Sequence, residues 1–288
     1  MNHITTPGHR PSCFIPHPSS FGLPAVMGIL NITPDSFSDG GVHLDHSAAL
    51  HAAMQMEDDG AAMLDVGGES TRPGAMPISA DEEMARVIPV IEQIRRRSAI
   101  PISVDTMKSV VARAAITAGA TAINDVSGMR HDPAMRALAA EKSVDVILMH
   151  MRGEPRTMQT NIHYDDVVTD VARELSDFRD AAIAAGVERE RIFVDPGIGF
   201  GKTFEHNLEL LARAAELREV APLVIGASRK AFIGHLTGRA SGPDRRFGSL
   251  AAVAASARAG AAMVRVHDVR ETVDFLKVWG AIEECRRG

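Results

Sequence analysis

Side chains able to bind anions, metals or hydrogen-bonding ligands follow a series of short apolar runs in this sequence. The first run opens the segment MGILNITPDSFSDGG (residues 27–41) and passes directly into oxygen- and nitrogen-bearing side chains around one phenylalanine. One polar residue after a strand is common, but eight in succession would converge on a single mouth if the strands form a barrel. That pattern indicates a small-molecule enzyme. The residues at these ends are Asn31, Asp65 with Glu69, Asp105, Asn124, His150, Asp195, Ser228 to Lys230, and Arg265 with His267.

Two segments look like known ligand-binding loops but fail on spacing. DPGIGFGKT, which begins at Asp195, has Pro196 where a P-loop needs glycine, and its third glycine comes too early for a dinucleotide-binding fingerprint. Its glycines are therefore expected to serve backbone geometry, whereas Asp195 is a buried carboxylate that needs a donor partner. DSFSDGG is not a calcium loop, because Phe37 occupies one ligand position and His46 stands where a bidentate Glu belongs.

Cationic side chains lie at three of the same junctions. Arg265 and His267 are two residues apart on an extended strand and share a face, where an arginine is costly unless it is paired or meets a ligand. We interpret this pair as an anion site. Arg229 and Lys230 precede a helix whose N-terminus already favours anions, so they need an anionic or acceptor partner. Arg72, in GGESTRPGA, is either a ligand-binding cation or a surface residue of a rigid connection.

These residues together suit a ligand with a flat, donor-rich end and an anionic end. No nucleophile–base pair stands out, since neither Cys13 nor Cys285 is placed for catalysis and no Ser-His-Asp spacing occurs. Transfer by positioning and charge stabilisation is the expected chemistry. The acceptors are the carboxylates and the amide of Asp105, Asn124 and Asp195, and the cations are Arg72, Lys230, Arg265 and His267.

The elements that must position these residues are short apolar runs alternating with longer segments of helical period. Most runs are continuously apolar, which is typical of parallel strands buried on both faces. Ser79 with Glu82 predicts a capping box, and Asp132 followed by Pro133 predicts another helix start. The predicted strands are Ala25–Leu30, Ala62–Val66, Pro101–Asp105, Thr121–Asn124, Val144–Met149, Arg191–Asp195, Leu223–Gly226 and Ala262–Val266.

Eight strands, each followed by a helix, predict an α/β protein with a single-domain (β/α)8 TIM barrel over residues 25–288. A doubly wound open sheet remains the alternative, because the number of strands does not prove closure. Residues 1–24, rich in Pro, His and Ser, are expected to form a flexible N-terminal leader.

Composition narrows the classes of function. The chain has 288 residues, a net charge of -6 and only one Trp and one Tyr, which disfavours nucleic-acid binding. No apolar stretch is long enough to span a membrane, and the leader lacks the apolar core of a signal peptide. The two cysteines have no metal or redox spacing. The cytoplasm is therefore the expected location.

Eight stretches carry a resemblance to a known family: GILNITPDSFSDGG, DVGGESTRPGA, SVDT, NDVSG, MHMRGEPRTMQ, DPGIGFGK, GASRK and RVHDV. They extend from about residue 27 to 269 and closely resemble, in the same order, the dihydropteroate synthase family of folate biosynthesis. The resemblance implies a (β/α)8 barrel that is usually a homodimer, uses Mg2+ and is a target of sulfonamides. It implies a transferase that joins 6-hydroxymethyl-7,8-dihydropterin pyrophosphate to 4-aminobenzoate, giving 7,8-dihydropteroate and pyrophosphate.

The resemblance also implies roles for individual residues. The pterin would be held by Asp105, Asn124, Met149, Asp195, Lys230 and Arg265. The diphosphate would be bound by Asn31, Arg72, Arg265 and His267, with Asn31 also the Mg2+ ligand. The 4-aminobenzoate would lie against Phe37, Thr71, Pro73, Ser228 and Arg229. The catalytic set would be Asn31, Asp35, Arg72 and Lys230, with Asp35 near developing positive charge.

The implied reaction begins with loss of pyrophosphate to a pterin-stabilised cation, which the arylamine then attacks. An arylamine is already nucleophilic, which fits the lack of a strong general base. Two alternatives stay open. A pterin-binding methyltransferase domain shares the fold but should lack STRPG and SRK, and a non-catalytic pterin-binding paralogue should have lost the loop after the first or second strand. All of these segments are present.

Overall fold

The computed structural model describes residues 22–33, 46–72, 74–154, 156–240 and 242–286. Most of the predicted leader lies outside this range, and Gly22 to Pro24 lead directly into the first strand. The strands are β1 Ala25–Asn31, β2 Met63–Gly67, β3 Ile102–Asp105, β4 Ala122–Asp125, β5 Asp145–Met149, β6 Ile192–Asp195, β7 Val224–Ile225 and β8 Met263–Val266. All eight predicted strands are confirmed, each to within one residue at either end.

Helices follow every strand in the described part of the chain. The α-helices are α1 His46–Asp58, α2 Ala80–Arg95, α3 Ser109–Ala118, α4 Met135–Lys142, α5 Val167–Ala184, α6 Phe204–Ala212, α7 Ala231–Thr237, α8 Arg246–Arg258 and α9 Val269–Cys285. Short 3-10 helices span Arg189–Arg191, Ala214–Glu219 and Gly242–Arg245. None of the described helices is long and apolar enough to cross a lipid bilayer.

The eight strands are parallel and form one sheet in the order β6-β5-β4-β3-β2-β1-β8-β7. The sheet curls until β6 meets β7, where Val194 bridges Leu223 and its N–H donates to the carbonyl of Pro222 at 3.1 Å. This bridge confirms the predicted (β/α)8 barrel and excludes the open-sheet alternative.

Side chains alternate between the two faces of each strand, so the outward positions pack on the helices and the inward positions fill the barrel. The outward residues form the large core, for example Leu64, Val104 and Leu148. The inward residues form a separate apolar layer across the middle of the barrel. Its members are Met27, Met63, Ala122, Ile147, Phe193, Val224 and Met263.

The two predicted helix starts have different outcomes. Ser79 is the N-cap of α2, and its Oγ accepts the N–H of Glu82 at 3.1 Å. Asp132 does not cap α4 directly, since that helix begins at Met135. Its carboxylate instead accepts from the N–H of Ala134 at 2.9 Å and from that of Ser109, the first residue of α3, at 2.8 Å. Asp132 thus ties two helix starts together.

Candidate active site

A polar layer lies at the mouth of the barrel, one inward position beyond the apolar layer. On five strands, the residue two positions after a member of the apolar layer is polar or lines the mouth. These pairs are Met63 and Asp65, Ala122 and Asn124, Ile147 and Met149, Phe193 and Asp195, and Met263 and Arg265. On β3 the corresponding inward residues are Ser103 and Asp105, which pair in register with Ala122 and Asn124. Five of the six predicted pterin residues therefore share one layer because of strand periodicity, and the sixth, Lys230, reaches the mouth from the start of α7.

Arg265 is the centre of this layer. Its Nε donates to Asp65 Oδ2 at 2.5 Å and one of its terminal nitrogens donates to Asp105 Oδ2 at 2.7 Å. Asn124 Nδ2 donates to the same Asp65 oxygen at 3.1 Å. Burial alone would lower the pKa of Arg265, but the two carboxylates outweigh it and raise that pKa.

Asp65 is a site residue to which the sequence assigned no role. The strand-end pattern includes it, but its importance comes from Arg265, which lies 200 residues away in the chain and contacts it only because β8 and β2 both flank β1. A signal was present, since Asp65 is the inward position after an apolar inward residue and a buried arginine needs a carboxylate.

Asp195 closes the far side of the mouth, at the end of β6. Its Oδ1 accepts the N–H of Gly197 at 2.7 Å, while its Oδ2 faces Gly226, where a Cβ atom would lie 3.4 Å away. Gly197 has a φ of +67°, and a Cβ there would lie 1.9 Å from the carbonyl oxygen of His150. Only glycine fits this turn, which supports the expectation that it serves backbone geometry.

The charged groups at the mouth shift one another's pKa values. Burial raises the pKa of Asp195, against the opposing effects of the Gly197 N–H and of Lys230 and Arg265. Burial also raises the pKa of Asp105, with Arg265 opposing. Lys230, whose Nζ lies 4.2 Å from the centre of the Phe200 ring, has its pKa lowered to about 8 by burial and by the charge of Arg265. Shifted carboxylates and amines in one cleft mark a functional site.

The surroundings of His267 within the protein oppose its protonation, although the sequence grouped it with the cations. Burial and the charges of Arg229 and Arg265 lower its pKa to about 3. Ser228 Oγ accepts the backbone N–H of His267 at 3.2 Å and lies 3.1 Å from its Nδ1. Ser228 therefore holds the imidazole ring in place.

Arg229 has an anionic partner, as the sequence predicted, and that partner is a carboxylate of the protein itself. Its guanidinium donates to Asp268 at 3.0 and 2.6 Å, and Arg246 adds a bond to the same carboxylate at 3.1 Å. Its backbone has a φ of +58°, and its N–H is held by Ser249 Oγ at 2.9 Å. The side chain expected at the 4-aminobenzoate is therefore already committed to an ion pair.

The loops after β1 and β2 carry the remaining predicted residues. Asn31 is the last residue of β1, Thr71 is half-buried and Arg72 is exposed. The charge of Arg72 also lowers the pKa of Lys230, so it acts on the same mouth. The last three predicted residues, Asp35, Phe37 and Pro73, lie outside the described residues.

Met149 belongs to a wall of flexible apolar side chains beside Asp195. The wall consists of Val126, Met149, Met151, Met158 and Phe200. Methionine side chains adapt to irregular surfaces, so this wall suits one face of a flat ring.

A buried polar chain behind this wall was missed as well. Lys202 Nζ lies 3.0 Å from His150 Nδ1 and donates to the carbonyl of Phe200 at 2.9 Å. His150 Nε2 lies 3.0 Å from Glu174. The chain supports the turn after β6, and the strand-end histidine is its only signal in the sequence.

A metal would find few protein ligands here. Among the described residues there is no group of three His, Cys, Asp or Glu side chains that could hold an ion. Asn31 offers one amide oxygen at the mouth, close to Gly67. Mg2+ keeps several waters and commonly shares its shell with substrate phosphates, so this donor set fits Mg2+ held together with a diphosphate.

Comparison with known proteins agrees with this geometry. A family model described as "Pterin binding enzyme" matches residues 27–267. Dihydropteroate synthase of Neisseria meningitidis serogroup B is 47% identical over 265 residues, covering 90% of this chain and 93% of the relative. Dihydropteroate synthase of Escherichia coli K12 is 48% identical over 257 residues, covering 88% and 90%.

Solved structures give the same result. Xanthomonas albilineans dihydropteroate synthase with 4-aminobenzoic acid superposes with a TM-score of 0.86 at 48% identity, covering 91% of this chain and 94% of that chain. A second structure from that organism, in complex with 7,8-dihydropteroate, has a TM-score of 0.83 at 45% identity and covers 92% and 95%. Yersinia pestis dihydropteroate synthase with a sulfonamide drug complex has a TM-score of 0.86 at 42% identity and covers 94% and 97%. The chain belongs to the dihydropteroate synthase family of pterin-binding enzymes.

Proposed function

We propose that this chain joins 6-hydroxymethyl-7,8-dihydropterin pyrophosphate to 4-aminobenzoate, releasing pyrophosphate and forming 7,8-dihydropteroate. The observation that carries the proposal is the polar layer, in which Asp195, Lys230 and Arg265 act on one another at the mouth of the barrel. The relatives support it, because solved members of the family hold 4-aminobenzoic acid and 7,8-dihydropteroate.

The pterin would bind across this layer. The Oδ2 atom of Asp195 accepts from the 2-amino and ring N–H groups, and Lys230 donates to the ring acceptors. Asn124 and Asp105 form the remaining hydrogen bonds to the edge of the pterin ring, and Met149 packs on the face of that ring. Charge-assisted hydrogen bonds of this kind are about twice as strong as neutral ones.

The diphosphate end would be held by Asn31, Arg72, Arg265 and His267. The neighbouring protein charges lower the pKa of His267, so it would contribute chiefly a hydrogen bond and the positive charge would come from the arginines. Asn31 and the diphosphate would hold Mg2+, which would supply further positive charge for the departing pyrophosphate. Loss of pyrophosphate breaks the C–O bond and leaves a cationic methylene conjugated with the pterin. The arylamine nitrogen attacks this carbon and then loses a proton to water, so no strong general base is needed.

The second substrate would lie between the loop after β2 and the junction of β7 with α7. Thr71 and the backbone around Ser228 are the described groups there, and Asp35, Phe37 and Pro73 retain their expected roles. Because Arg229 is paired with Asp268, we assign it the support of this junction in preference to direct contact with the carboxylate.

Two further properties follow the family resemblance. A homodimer is proposed, supported by large apolar side chains that are exposed on three consecutive helices, α7 to α9. These side chains are Leu236, Phe247, Val278 and Ile282. A cytoplasmic location is proposed as well.

The decisive experiment mixes both substrates with Mg2+ and measures pyrophosphate and 7,8-dihydropteroate. Equal amounts of the two products are expected. Asp195→Asn should fold but lose about 2–4 kcal/mol of pterin affinity, because charge-assisted bonds to the ring donors are lost. A wild-type chain that binds pterin and releases no pyrophosphate would be the non-catalytic paralogue, and calorimetry within threefold of wild type for Asp195→Asn would refute the assigned pterin edge.

A further inference from the structure

A largely buried ion cluster joins the loop that follows β2 to the helices α2 and α3. Lys108 Nζ lies 2.6 Å from Glu83 Oε2 and also bonds the carboxylate of Glu69. The Glu83 side chain is 1% exposed, and its Oε1 has no hydrogen-bond partner in the described structure. We call these three residues the loop anchor. The reaction as described uses none of them.

The backbone at the same place is held against α2. Arg86 donates to the carbonyl of Gly68 at 2.7 Å. A Cβ atom on Gly68 would lie 2.8 Å from Val87 Cγ1 and 3.2 Å from the carbonyl oxygen of Glu83, so helix and loop are in close contact. The loop is therefore fixed immediately before Thr71 and Arg72.

The loop anchor also reaches the pterin side of the mouth. Lys108 is the N-cap residue of α3, three residues after Asp105, and its backbone N–H is held by Thr106 Oγ1 at 3.2 Å. Burial alone would lower the pKa of Lys108, but its bonds to Glu69 and Glu83 outweigh that and raise it. A fixed positive charge thus joins the end of β3 to the loop after β2.

We propose that Glu69, Glu83 and Lys108 are positioning residues that hold Thr71 and Arg72 in place for 4-aminobenzoate and the diphosphate. This inference depends on the proposed function, and it adds residues that touch no substrate. The loop anchor holds the loop of Thr71 and Arg72 directly and touches the pterin edge only at the end of β3, so its loss should weaken the second substrate more than the pterin ring.

The test uses Lys108→Met and Glu69→Gln in the full-length chain. The expected result is a KM for 4-aminobenzoate raised by about tenfold, with the affinity for free hydroxymethylpterin, which lacks the diphosphate that Arg72 would bind, within twofold of wild type. Lys108→Arg, which keeps the charge, should recover part of the loss. Arg113→Met is the matched control, since Arg113 lies on the same helix in an exposed pair with Glu141 at 2.8 Å.

Either of two results would overturn the inference. One is an unchanged KM for 4-aminobenzoate in both variants. The other is an equal loss for 4-aminobenzoate and free hydroxymethylpterin that follows a fall in melting temperature, which would show a purely structural role. Glu69→Gln, at the edge of the cluster, keeps the test valid if Lys108→Met does not fold. Failure of the proposed function would appear in the wild-type chain as absent pyrophosphate release, and failure of the inference would appear only in the variants.

Discussion

Two arginines lie inside the same barrel, paired with carboxylates at its opposite ends. At the base, Arg191 is 3.1 Å from Asp145 Oδ1, and the two side chains are 8% and 1% exposed. At the mouth, Arg265 bonds Asp65 at 2.5 Å and Asp105 at 2.7 Å, and its side chain is 18% exposed. The apolar layer separates the two clusters.

The two clusters differ in how fully their charges are paired within the protein and in how exposed their side chains are. The base cluster is closed, because Arg191 has Asp145 and also Glu188, at 3.0 Å, as partners. The mouth cluster adds Asp195 and Lys230, whose pKa values are raised and lowered respectively, so it holds charges that a ligand can satisfy. Similar ion pairs therefore serve stability at the base and binding at the mouth, in line with the general division of TIM barrels.

The largest expected effect comes from removing the arginine at the mouth. Arg265→Met leaves Asp65 and Asp105 without their cation and takes a cation from the diphosphate. We expect pterin pyrophosphate affinity to fall by about 3–5 kcal/mol. Isothermal calorimetry measures this, with denaturant unfolding as the parallel measurement. Affinity within tenfold of wild type would contradict the assignment of Arg265 to the site.

The same substitution at the base should give the opposite result. Arg191→Met breaks the buried ion pair with Asp145, and we expect the free energy of unfolding to drop by about 3 kcal/mol. Pterin affinity should be unchanged, because the apolar layer lies between. Glu141→Gln in the exposed pair with Arg113 is the control and should change stability by less than about 0.5 kcal/mol. Weakened pterin binding in folded Arg191→Met would show that the two ends are coupled.

The pH dependence of pterin binding also distinguishes the mouth of the barrel from its base. Lys230 has a pKa of about 8, so it loses its charge as the pH rises through that value, while the paired arginine at the base keeps its charge. Pterin affinity should be flat below about pH 8 and fall by up to about 1.4 kcal/mol per unit above it. Lys230→Arg should remove this fall in affinity. That result would assign the titration to Lys230 and not to Lys202, whose pKa burial lowers to about 7. A fall that persists in Lys230→Arg would assign the titration to another group.

The smallest effect is expected at the edge of the mouth. His267→Ala removes a neutral donor from the diphosphate end, so affinity for the pyrophosphate ester should drop by about 1 kcal/mol, and affinity for free hydroxymethylpterin should not. Ser228→Ala should give part of the same loss, because the serine hydroxyl no longer holds the His267 ring in place. Equal weakening of both ligands would mean that His267 is only structural.

The local pattern of the sequence alone predicted the strands of this protein and many of its site residues. Continuous apolar runs predicted all eight parallel strands, and the polar residues that follow them predicted the mouth of the barrel. Asp105, Asn124, Asp195 and Arg265 were identified in this way, because the end of a strand is visible in consecutive residues. The helix start at Ser79 was equally local.

Only the tertiary structure decided which of these groups meet. Closure through Val194 and Leu223 and the stagger of the strands bring Arg265 to Asp65, 200 residues away, and no local signal carries that register. The same holds for Arg229 with Asp268, 39 residues apart. The pKa shifts followed from burial in the assembled mouth, which lowers the pKa of His267 although its residue type had suggested a cation. Pairing and protonation depend on distances across the barrel, and those distances exist only once the chain has closed.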